Sequence, residues 1–210
     1  MERRIFLLSP ASCGGQRARL LFSPRARIDL ALALRTEAGV PLGQVFSFLS
    51  ALYFRGKLEY ARTYARPPEG SPGVFIVTSG EGLCVPETCV QLDVLARWAS
   101  IPIDLRERRY TRPLLRDARA IASSIADGHC EVVLLGSIAT GKYVDLLRDV
   151  FGARLVFPAD FVGRGDMSRG GLLLRSARDR RELRYVPVAG AMRRGERPPR
   201  LVPRPGILRG

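Results

Sequence analysis

The segment Gly136-Ser137-Ile138-Ala139-Thr140-Gly141-Lys142-Tyr143 contains the residue types of a phosphate-holding turn. Glycine permits the curl, backbone N–H groups can face inward, and the N-terminus of a following helix favours an anion. The spacing matches the phosphate loop of nucleotide hydrolases, except that Tyr143 stands where Ser or Thr would hold Mg²⁺. Three readings stay open: such a loop, a simple phosphate or sugar-phosphate contact, and a structural strand-to-helix turn. In the phosphate readings Gly136, Ser137, Gly141 and Lys142 make the contacts.

Three other segments carry candidate chemistry. Gly163 to Gly171 holds four Gly, two Arg and one Asp. Arg164 and Arg169 can clamp phosphate, and Asp166 can serve as a base or accept a hydroxyl proton. The plain alternative is a surface loop whose Asp pairs with an Arg. In Ser12-Cys13-Gly14-Gly15, Gly14 and Gly15 suit an anion-accepting turn, and Cys13 reads as a buried structural thiol before it reads as a nucleophile. Glu81, in Ser79-Gly80-Glu81-Gly82, is a second candidate catalytic carboxylate, or a solvated turn acid. Tyr53, Phe54, Tyr60 and Tyr64 interleave with Arg55, Arg62 and Arg66; this spacing fits a core stripe better than a base-stacking surface.

Cys84-x4-Cys89 and His129-Cys130 have the wrong spacing for the common zinc sites, so neither metal nor cofactor is expected. The cysteines read as reduced thiols in a cytoplasmic protein.

The 210 residues include 34 basic and 20 acidic ones, for a net charge of +14. Lys57 and Lys142 are the only lysines, so nearly all of the cationic side chains are Arg. A surplus of this size attracts polyanions, and Arg binds phosphate bidentately and stacks on bases. Acidic proteins would be attracted as well, and a compositional bias toward Arg is the bland alternative. No apolar run approaches the ~20 residues of a membrane span, so no membrane partner is expected.

The elements that must position these segments can be read from periodicity. Ile5–Leu8, Val74–Thr78, Glu131–Leu135 and Leu155–Pro158 read as strands, the third as an unbroken apolar central strand. Helices are predicted over 16–22, 27–37, 44–66, 90–100, 113–127 and 143–151, with Gly56 a possible break in the third and Gly128 at the C-terminal cap of the fifth. Leu172–Arg175 and Leu183–Val188 suggest a two-stranded arm. Residues 190–210, with six Arg and four Pro against one Glu, read as a poorly ordered basic tail behind a single domain over 1–189. The whole is an α/β three-layer sandwich with a mainly parallel central sheet. In such sheets ligands gather at the strand C-terminal ends, so the turns at Ser12–Gly15 and Gly136–Lys142 and the Gly163–Gly171 loop should share one pocket.

The segment order resembles an uncharacterised bacterial α/β family related to the small uracil-DNA-glycosylase-like domain found beside archaeal tRNA-guanine transglycosylase barrels. The resemblance rests on Ala51-Leu52-Tyr53-Phe54-Arg55 with Glu59-Tyr60-Ala61, on Ile76 to Leu83, on Leu135-Gly136 through Tyr143, and on Phe157-Pro158 through Gly171. It implies a fold and a bias toward nucleic acid. It does not imply glycosylase activity, because the acidic water-activating loop and the His-containing loop of those enzymes are missing. The expected function is a nucleic-acid-associated domain that binds phosphates at its strand ends and acts, if at all, on a base or nucleoside. The alternatives are a small-molecule enzyme acting on a nucleotide or sugar phosphate, and a protein-interaction module.

Overall fold

Val132 to Leu135 are fully buried, as a strand covered on both faces must be. They belong to β6 (Cys130–Leu135), which pairs in parallel with β1 (Arg3–Leu8) from Arg3↔Cys130 to Leu8↔Leu135. On its other side β1 pairs in parallel with β3 (Val74–Val77), and β6 pairs in parallel with β7 (Leu155–Pro158). Antiparallel strands close both edges: β4 (Leu83–Cys84) on β3 and β8 (Tyr185–Pro187) on β7. The order is β4-β3-β1-β6-β7-β8, and β2 (Val40–Pro41) and β5 (Cys89–Val90) form a separate ribbon. This computed structural model describes residues 2–126, 129–192, 195–199 and 201.

Helices surround the sheet: α1 (Gln16–Phe22), α2 (Asp29–Ala33), α3 (Leu42–Tyr64), α4 (Leu92–Ala99), α5 (Arg108–Ser124), α6 (Gly141–Phe151) and α7 (Asp166–Arg178). The α/β fold with a mainly parallel sheet is as expected. Helices α3 and α7 pack on each other, as do α5 and α6. From β1 the chain moves outward to β3 on one side, and it later returns to β6 on the other. The C-terminal ends of β1 and β6 therefore flank the switch point, where a crevice opens in sheets of this type.

Three expectations are corrected. Leu172–Arg175 is not a strand of an arm but part of α7, and Tyr185–Pro187 joins the main sheet as an edge strand. The glycine-rich stretch is a loop only to Gly165, because α7 starts at Asp166 and carries Gly170 and Gly171 inside it. Glycine weakens an isolated helix, but here it permits contact with α3: a Cβ on Gly170 would lie 2.8 Å from the Leu52 carbonyl oxygen. The break in α3 falls at Ala51, with φ 45° and ψ −122°, and not at Gly56. This kink lets Phe46 and Leu49 before it and Tyr53 after it line the same cleft.

The C-terminal cap expected at Gly128 lies outside the described residues. So does part of the basic tail, but Glu196, Pro199 and Leu201 lie against Gly163, Arg164 and Gly171. The aromatic stripe of α3 is core: Phe54 and Tyr60 are fully buried, and Tyr53 and Tyr64 nearly so.

Candidate functional site

A cleft of about 620 Å³ opens at the switch point. The turn after β1 lines it with Ser9 and Ser12 to Gly14, the turn after β6 with Ser137, and the start of α6 with Lys142 and Tyr143. The start of α7 brings Asp166 to it, and Ser79 enters from the end of β3. The three glycine-rich segments thus do meet, and the volume lies within the usual range for a small-molecule site.

One wall is apolar and aromatic: Phe46, Leu49, Tyr53, Trp98 and Ile101. Trp98, the chain's single tryptophan, is held by the turn after β3. The Ser79 hydroxyl donates to the Trp98 carbonyl at 2.9 Å, and a Cβ on Gly80 would lie 2.7 Å from Trp98 Cδ1, so only glycine admits the indole there. The Trp98 Nε1–H is buried with its edge against Gly80, and the Tyr53 hydroxyl is buried beside the Arg169 guanidinium.

Other parts of the lining are rich in donors. Among the described residues no protein group accepts from the backbone N–H of Ala11, Ser12, Cys13 or Gly14. Helix α6 begins beside them with no acidic residue in its first turn and no side-chain cap. The exposed Lys142 favours an anion, whereas the Asp145 carboxylate already lies against Gly141 at the start of this helix. The centre of the Gly136–Lys142 turn is already filled, because the buried Tyr143 donates its hydroxyl to the Ser137 carbonyl at 2.9 Å. Gly136 serves this packing: a Cβ there would lie 2.8 Å from both Ser9 Cβ and the Tyr143 oxygen. Gly141 is likewise pressed against the Asp145 carboxylate.

Other candidates fall elsewhere. Glu81 lies on the surface in an ion pair with Arg97 at 2.7 Å and does not line the cleft. Arg164 turns away to the Asp160 carbonyl at 3.0 Å and the Ser168 hydroxyl at 3.2 Å. Arg169 is buried, donates to the Phe161 carbonyl at 3.0 Å, lies over the Phe161 ring and pairs with Asp166 at 3.5 Å. It therefore braces α7. Gly15 is the N-cap residue of α1, behind the turn. The Cys13 thiol lines the cleft, but burial pushes its pKa up to about 12, away from a thiolate nucleophile.

The sequence reading missed Lys57 as a site residue. Lys57, on α3, is 1% exposed beneath Ser9; its Nζ lies 2.9 Å from Ser9 Oγ and 2.5 Å from the Ser9 carbonyl oxygen. The rings of Tyr53 and Phe54 lie 4.6 and 4.8 Å from Nζ. Burial pulls its pKa down to about 7; the Asp166 carboxylate acts against this and the Arg169 guanidinium adds to it. A signal was present: in a chain that uses Arg almost everywhere, both lysines come to this cleft, one at its mouth and one under its floor.

No protein-family model, curated protein or solved structure matches this chain.

Proposed function

We propose that the protein binds a nucleotide unit of a nucleic acid in this cleft. The observation that carries this reading is the mixed lining: the aromatic side chains of Phe46, Tyr53 and Trp98 share the cleft with Lys142 and with backbone N–H groups that have no acceptor among the described residues. A planar base suits the aromatic part of the lining. A phosphate suits the Ser12–Gly14 turn and Lys142.

A nucleic acid is favoured over a free nucleotide or sugar phosphate by a second surface. A groove of about 760 Å³ between α3 and α7 is lined by Arg55, Arg62, Arg175, Arg178 and Arg180. Arg62 pairs with Glu87 at 2.8 Å, and Glu59 also lines the groove, so five guanidinium groups there stand against one lining carboxylate. An excess of guanidinium groups suits backbone phosphates.

Trp98 fluorescence tests the reading. Short single-stranded DNA and RNA should perturb it at lower concentration than mononucleotides do, and affinity should fall steeply with salt. A response to sugar phosphates but not to oligonucleotides would move the site to small-molecule chemistry. No response to any nucleotide would remove the reading.

A further inference from the structure

A nucleotide-binding cleft has no need of an amine buried beneath its floor. Lys57 is as buried as Trp98, and no carboxylate lies within salt-bridge distance of it among the described residues. Burying an ammonium without a carboxylate is costly, so its retention calls for a reason. The contacts of Nζ supply one: between this amine and the cleft stands the hydroxyl of Ser9, at 2.9 Å, on a residue that lines the cleft.

We propose that Ser9 is a nucleophile and Lys57 its general base, a pair that cleaves an ester or amide bound in the cleft. In its neutral form Lys57 offers a lone pair to the Ser9 Oγ–H. As Oγ attacks the carbonyl carbon, the Oγ–C bond forms and the C=O π pair moves onto oxygen. The hydroxyl proton passes to Nζ, which becomes an ammonium. Collapse of the tetrahedral species breaks the bond to the leaving alcohol or amine, and Nζ returns its proton to that group. Water, deprotonated by the again neutral Lys57, then hydrolyses the acyl-serine, so that only water is consumed. Free N–H groups of Ala11 and Ser12, next along the turn, are the donors available to the oxyanion.

Lysine suits this role where arginine does not, because a guanidinium keeps its proton. The ionisable groups around Nζ belong to three elements. Tyr53 lies on α3 itself, with its ring against Nζ. From α7, Asp166 favours the ammonium and Arg169 opposes it. On α6, the Tyr143 hydroxyl contacts Ser9 and donates to the Ser137 carbonyl. Burial outweighs Asp166 and leaves about half of the amine neutral at pH 7.

A fluorophosphonate probe tests the pair without any nucleotide, so its outcome is separate from that of the binding reading. Oγ–P bond formation should expel fluoride, and peptide mapping should find one adduct, on Ser9. The labelling rate should rise about tenfold per pH unit below about 7 and level off above it. Ser9→Ala should carry no adduct. Lys57→Met should label at least about 100-fold more slowly, and Lys57→Arg should not restore the rate. The proposal is overturned by no adduct on the folded protein, by an adduct on Ser12 or Lys57 instead, or by undiminished labelling of a folded Lys57→Met. Should the Lys57 variants unfold, the wild-type profile decides, and a rate flat from about pH 5 to 9 rejects the pair.

Discussion

Gly56 and Gly170 bring α3 and α7 together backbone to backbone: a Cβ on Gly56 would lie 2.7 Å from the Gly170 carbonyl oxygen and 3.1 Å from its Cα. This crossing sets Lys57, the next residue on α3, near the first turn of α7, where Asp166 and Arg169 act on it. The obstacle to a methyl group is backbone, which cannot rotate away. Gly56→Ala or Gly170→Ala should therefore cost about 1–3 kcal/mol. Urea unfolding measures this; a loss below about 0.5 kcal/mol would mean that the crossing tolerates a side chain.

At the other end of β1, Arg4 is buried among three carboxylates. It reaches Glu131 at 2.6 Å, Glu182 at 2.6 Å and Glu2 at 3.0 Å, with the Tyr185 ring 4.7 Å from its guanidinium carbon. Glu182 also pairs with Arg66, and the Tyr185 hydroxyl donates to it at 3.0 Å. The cluster joins β1, β6 and the segment leading into β8. Arg4→Met should lose about 1–3 kcal/mol, because it leaves Glu131 without its cation and Glu182 with Arg66 alone. Urea unfolding measures this too; a loss below about 0.5 kcal/mol would mean that the cluster contributes little.

Lys57 should also leave a mark on stability. Its pKa is lowered from 10.5 to about 7 on folding, so between these values the unfolded chain binds a proton that the native chain does not. Stability therefore rises with pH across this window, by about 1.4 kcal/mol per unit, and below it the native state bears the full penalty of a buried ammonium. The difference in unfolding free energy between wild type and Lys57→Met should show this slope. Asp166→Asn removes a charge that favours the ammonium, so the window should open at lower pH. Parallel pH profiles for wild type and Lys57→Met would show that Lys57 does not titrate differently on folding.

Much of the architecture was legible because burial leaves a simple pattern. The apolar run of β6 and the β-branched β3 are strands a sheet core requires, and parallel strands put their following turns at one end. That is why the segments at Gly14, Ser137 and Asp166 could be expected in one pocket. What was illegible depends on contacts distant in sequence. Gly170 reads as a helix breaker until Leu52 and Tyr53 are seen against it. Glu81 and Arg164 have site-like neighbours in sequence, but Arg97 and the Asp160 carbonyl hold them elsewhere. Lys57 sits in a core stripe of α3, and only the fold puts Ser9 above it.

Binding a nucleotide in this cleft requires it to hold a base and a phosphate at once. Calorimetric titration of wild type and Lys142→Ala with a nucleoside and with its 5′-monophosphate tests it most directly. In the wild type the phosphate should add affinity, and Lys142→Ala should remove about tenfold of that gain while leaving nucleoside binding unchanged, as for one charge-assisted contact. If the variant loses affinity equally for both ligands, or for neither, Lys142 does not read the phosphate and this account of the cleft is wrong.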